Sequence, residues 1–373
     1  AEIADDAAQP PVLLALRGDA LLALGRQDAA RALYARLLES HPGLVEAMLG
    51  LARIAALEQD VTTAELLVAQ ALKSAPASID ALRLQGDLLR LQGEPAPARL
   101  AYLQILKLKP DNTQAHIDIA NLDIGEGRFQ EAAAQLAGAR KTAPNSLGLL
   151  QAQALLDFRQ GKHKAALQGL QLVLKAAPDH MPSILLAGAV QLALGSPNLA
   201  EGYLQRFLAV YPRHLYALKM MASIALQRGQ SEQALGLLQP ALTAFPDDVE
   251  LLSLAGEAQL RARRYAQASD YFEKASGLAP DTARLHAALG ISRLGMGENN
   301  RAISELERAS VLDKNTPQAG TMLVMTLLRS QQNDKALASV KLLEQQQGTN
   351  PMLLNLKGGV YLALRDVAAA RAS

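Results

Sequence analysis

Small and apolar positions return along this chain every 34 residues without slip. Alanine stands at Ala30, Ala64, Ala98, Ala132, Ala166, Ala200, Ala234, Ala268, Ala302, Ala336 and Ala370. One residue type held at one register marks a place where two helix backbones approach too closely for a larger side chain, because overpacking there costs about 1–3 kcal/mol. Twelve residues ahead of each alanine comes a second small position: Gly18, Ala52, Gly86, Ala120, Ala154, Gly188, Ala222, Gly256, Gly290 and Gly358, with Val324 larger. The pattern predicts two closely packed helices per period, A and then B.

Turn residues keep the same register. Proline recurs at Pro42, Pro76, Pro110, Pro144, Pro178, Pro212, Pro246 and Pro280, where helix B must end. With that proline at position 32, repeats begin at Pro11, Val45, Ile79, Thr113, Leu147, Met181, Leu215, Val249, Ala283, Pro317 and Pro351. Gly25, Gly93, Gly127, Gly161, Gly195, Gly229 and Gly297 then fall at position 15 and close helix A. Ser78, Asn112, Ser146, Asp248, Thr282, Thr316 and Asn350 fall at position 34, able to cap the next helix. Lys314 and Gly348 replace the proline in two repeats, so local geometry near the C-terminus is expected to depart from the rest.

A helix–turn–helix unit of this length cannot bury its apolar face alone and stacks on its neighbours. The chain resembles the tetratricopeptide (TPR) repeat family over residues 11–373. The fold this implies is all-α, a right-handed superhelical solenoid. Residues 1–10 read as a lead-in or the end of a preceding repeat, followed by one continuous array of about eleven units, the last truncated. Composition agrees: 50% of residues are hydrophobic, only 3% aromatic and none tryptophan, so alanine and leucine build the core.

A formal net charge of +1 supplies no field to gather nucleic acid, which is not expected as a partner. Without cysteine there are no disulfides, thiolate metal sites or cysteine nucleophiles. The longest apolar run, Ile184 to Leu194, is shorter than the roughly 18 residues a spanning helix needs and falls in helix A of repeat six. The chain has no initiator methionine or signal peptide and stops inside the last helix B, so further repeats are expected on the C-terminal side at least.

No P-loop, GxGxxG, HExxH, GxSxG or kinase signature is present. No catalytic residue, cofactor or metal site is therefore expected, and the chain reads as a non-enzyme. His180 and His214 occupy the same register of successive turns and read as exposed loop residues ahead of a metal pair. His116 and His286, at position 4, read as packed helix histidines, and His163 as part of a solvated basic turn, Lys162 to Lys164.

Positions 2, 5, 9 and 12 of helix A share one face, the expected concave binding surface of such an array. There the early repeats carry Asp19, Arg53, Asp80, Arg83, Asp87 and Arg90, with Asn121 next in the position-9 series. This alternating ladder reads as neighbouring charges pairing with each other, or as a polar groove for a glycan or peptide. In repeats four to six the face turns apolar, with Ile117, Leu155, Phe158 and Leu185, and suggests an apolar partner segment. Lys219, Ser223, Glu250 and Glu257 return it to polarity, and no repeat combines lysine at position 5 with asparagine at position 9, as carboxylate-clamping TPR domains do.

Stretches such as ALRGDALLALGRQDAARALYARLL and LAGEAQLRARRYAQASDYFEKA resemble the TPR-repeat lipoprotein family of the bacterial PEP-CTERM/exosortase system. That resemblance implies a periplasmic or cell-envelope protein of a Gram-negative bacterium. It also implies a scaffold for protein partners in exopolysaccharide export or surface-protein sorting, held to the membrane only through a lipid anchor outside these residues. Two other readings stay open: a module binding the exopolysaccharide directly, which the scarcity of aromatics disfavours, and the non-catalytic arm of a larger enzyme.

Overall fold

The computed structural model describes residues 9–313, 317–348 and 350–373. It consists of two compact units, Ala1–Leu194 and Gly195–Ser373. Among the described residues all regular structure is helical, in 22 helices without a strand. In repeat three, for example, helix A is Ile79–Leu91 and helix B is Pro95–Leu108. The all-α, helix-hairpin solenoid expected from the period is what the chain forms.

Helix A stops in the same way in all eleven repeats. The seven glycines at position 15 have φ between 71° and 79°, a left-handed conformation that costs glycine nothing. The other four repeats force Gln59, Arg263, Gln331 and Arg365 into it, at φ 57° to 64°. The turn geometry is thus imposed by the packing of the two helices and not by glycine.

The position-20 alanines from Ala30 to Ala336 are 0% exposed, and Ala370 is half-buried. The other small position is matched in volume to the residue sixteen places on. A Cβ on Gly86 would lie 2.4 Å from the Tyr102 ring, one on Gly18 2.5 Å from Tyr34, and one on Gly256 2.8 Å from Phe272. Where the position holds alanine, as at Ala52 and Ala120, the facing residue is the smaller Val68 or Leu136.

Four of the expected caps form. Ser78, Asn112, Asp248 and Asn350 accept the backbone N–H three residues on, at 3.3, 2.8, 2.8 and 3.0 Å. Ser146 and Thr282 make no such bond, and Thr316 and Lys314 lie outside the described residues. At Gly348 the expected departure is present: without proline, helix B of repeat ten runs one residue longer, Asn333–Gln347, and ends on glycine at φ 73°. The run Ile184 to Leu194 lies on a buried A helix, Met181–Ala193, with Leu194 at its C-cap. Among the described residues no helix is long and apolar enough to cross a membrane.

Candidate functional site

Within each unit most A helices touch the A helix of the next repeat, so the A helices line up along one wall. The wall has different chemistry along its length, and much of what it carries is engaged internally.

In the first unit the acids are tied down from below. Tyr34 donates its hydroxyl to Asp19 at 2.7 Å, and Tyr102 donates to Asp87 at 2.7 Å. Burial, and then the bond to the carboxylate, pushes both tyrosine hydroxyls well above their ordinary pKa. Arg53 pairs with Asp19 at 3.0 Å, but the ladder goes no further as drawn from sequence, because Asp87 turns to Tyr102. Arg83 instead bonds Asp118, one repeat on, at 3.1 Å, and Gln114 donates to the other oxygen at 2.8 Å. Burial raises the Asp118 carboxyl above the usual carboxylate range; Arg83 and Gln114 pull it back only in part. Asp80 and Arg90 remain exposed, and Asn121 is half-buried.

The apolar middle needs correction. Ile117 is 3% exposed and packs with Leu136 and Leu149 in the core, so it is not part of a binding surface. Position 5 there points between helices, not outward. Leu155, Phe158 and Leu185 are half-buried, and Leu155 leans on the same core cluster. His163 is not a solvated turn residue: its ring sits 5.5 Å from that of Phe158.

In the second unit Lys219 is 9% exposed and bonded to Asp248 at 2.8 Å and Glu250 at 3.0 Å. Burial works against its charge, yet these two carboxylates outweigh it and hold the ammonium above the ordinary lysine pKa. Burial also opposes the Asp248 charge, but Lys219 and the Leu251 N–H hold that carboxyl below its usual value. Glu257 is bonded to Arg261 at 2.6 Å and Arg284 at 3.3 Å, and Ser223 is half-buried.

The histidines at position 4 bridge consecutive repeats. His286 places its ring nitrogens 2.7 Å from Glu305 and 2.9 Å from the Pro280 carbonyl, and His116 does the same with Gln135 and Pro110 at 2.7 and 3.0 Å. His214 accepts the Ala217 N–H as a helix cap, and His180 lies 2.9 Å from the Ser183 hydroxyl. Among the described residues no cluster of three or more potential metal ligands forms.

Sequence reading passed over Asp123, which is fully buried against Arg99 and Arg128. It also passed over a recurring edge contact in which position 21 meets position 14 of the next repeat: Arg31 with Glu58, Glu65 with Gln92, and Glu201 with Arg228. Their constant separation of 27 residues was the signal available.

Two tetratricopeptide repeat models match the sequence, one over residues 16–79, 64–113 and 185–249 and the other over 225–290. Together they take in more than half of the chain, which belongs to the tetratricopeptide repeat family, a family of protein-interaction scaffolds. No curated protein matches the sequence. Among solved structures, the chain is similar to that of the APC/C hetero-tetramer Cut9–Hcn1, at TM-score 0.62 and 17% identity over 94% of this chain and 76% of that one. It is also similar to a tetratricopeptide repeat protein from Parabacteroides merdae, at TM-score 0.46 and 19% identity over 67% of this chain and 99% of that one. A human IFIT1 dimer with PPP-AAAA aligns at TM-score 0.47 and 16% identity over 92% of each chain. At these identities the likeness is one of fold.

Proposed function

We propose that this chain is a non-enzymatic scaffold of the bacterial cell envelope whose A-helix wall holds segments of partner proteins. The observation that carries the scaffold reading is that the buried His286 and Lys219 and the half-buried His116 are engaged in bonds that link consecutive repeats. What the molecule presents outward is a surface of helix faces. The envelope setting, with service to exopolysaccharide export or PEP-CTERM sorting, rests on the sequence resemblance.

A photo-crosslinking residue at Leu155, which is half-buried on the wall, tests both parts in the native host. Capture of a defined envelope protein supports the proposal. Capture of polysaccharide moves the reading to a carbohydrate-binding module, and capture of a cytoplasmic partner removes the envelope setting while leaving the scaffold.

A further inference from the structure

The A helices of repeats nine to eleven, Ala283–Gly295, Pro317–Arg329 and Pro351–Ala363, contain no aspartate or glutamate, but carry Arg284, Arg293, Arg329 and Lys357. Three of these cations have acidic partners: Arg293 with Glu305 at 3.0 Å, Lys357 with Glu344 at 2.8 Å, and Arg284 with Glu257 at 3.3 Å. Arg329 is exposed in the last turn of its helix, and Arg365 is exposed just beyond the next A helix. Neither has an acidic partner among the described residues.

N-terminal of these cations on the same two helices, the wall is apolar and open. Met325 is 58% exposed and Met352 49% exposed. They are related by the register that brings Glu257 and Arg284 to 3.3 Å two repeats earlier, and their two A helices touch. That register puts the two methionines at facing positions of neighbouring A helices. Leu328 and Leu356 stand half-buried behind them on the core. Isolated exposed apolar residues need no explanation, but two long, adaptable methionines on one wall, with two unpaired arginines at its C-terminal end, make a complementary pair of surfaces.

We propose that this stretch docks an acidic amphipathic segment of a partner protein, with its apolar side chains on Met325 and Met352 and its carboxylates on Arg329 and Arg365. The inference deepens the scaffold reading and rests on it. A polyanion is a poorer fit, because its affinity grows with the number of cations engaged, and of the cations named here only Arg329 and Arg365 lack an acidic partner among the described residues.

The test is selection of random peptides of about twelve residues on the full chain, counter-screened on Met325→Glu/Met352→Glu and on Arg329→Glu. A milder Met325→Ser/Met352→Ser variant serves if the first does not fold. The expected result is peptides combining large apolar residues with net negative charge, whose binding falls about tenfold or more in each variant. Neutral or basic peptides, or acidic ones that bind the variants equally well, overturn this site but leave the scaffold reading intact. Recovery of no peptide at all counts against both. Binding of anionic vesicles or heparin that depends on Met325, without peptide binding, also overturns the proposal.

Discussion

In repeat three of the first unit, Asp87 accepts the Tyr102 hydroxyl at 2.7 Å from its own helix B; in repeat eight of the second, Glu257 holds the same position above Phe272, which has no hydroxyl to give. Glu257 therefore turns along the wall to Arg261 and Arg284. The same contrast runs more widely. The first unit pairs Arg53 and Arg83 with Asp19 and Asp118 on its own A helices, whereas the last three A helices of the second carry cations and no acids. Two stretches built on one backbone plan differ in where the wall charges find partners: from A helix to A helix in the first, and mostly on helix B in the second, where Arg329 is left without an acidic partner among the described residues.

The largest effect expected is from Gly86→Ala, whose new Cβ would sit 2.4 Å from the Tyr102 ring. Chemical denaturation should show a loss of ~3 kcal/mol, the upper end for overpacking. Next, Asp87→Ala leaves the buried Tyr102 hydroxyl without its acceptor and should cost ~2 kcal/mol, most of it recovered when Tyr102→Phe is added. Glu257→Ala breaks half-exposed pairs and should cost less than ~1 kcal/mol. Equal costs for the two acids would erase the contrast.

Acid should move the contributions of Asp248 and Asp118 in opposite directions. Asp248 is held below its ordinary value, so its contribution is present above about pH 4 and is lost as pH falls through its lower folded pKa. Lys219→Met should remove that loss. Asp118 is raised, so the folded state takes up its proton first and gains stability as pH falls through the range just above about 4. Asp118→Asn should abolish this gain, and hydrogen exchange with mass spectrometry reads each unit separately. A small effect of opposite sign is expected from Arg263→Gly, which relieves a left-handed arginine at φ 58° and should stabilise the second unit by about 0.5–1 kcal/mol.

Most of the fold was legible because each repeat says the same thing. Alanine at position 20, glycine at position 15 and proline at position 32 act through the backbone, and backbone effects recur with the period. Side-chain partners were legible only in part. The Asp19–Arg53 pair follows from a 34-residue spacing, but Asp87 breaks the series because Tyr102 reaches it first, and a one-dimensional charge ladder holds no record of the residue beneath. Ile117 was misplaced because position 5 points outward in some repeats and inward in others, according to how closely neighbouring A helices pack. The methionine pair lies in repeats whose wall positions carry little charge and so drew no notice, although its 27-residue spacing was visible in the sequence.

The difference between a wall arginine paired inside the fold and one left unpaired is tested most directly by reversing one of each and reading stability and binding of a selected acidic peptide together. Arg83→Glu should cost ~2 kcal/mol by stranding the buried Asp118 beside a new acid, with peptide binding unchanged. Arg329→Glu should leave stability within ~0.5 kcal/mol and weaken binding about tenfold or more. The reverse pattern, with Arg329 needed for stability and Arg83 for binding, would contradict the account.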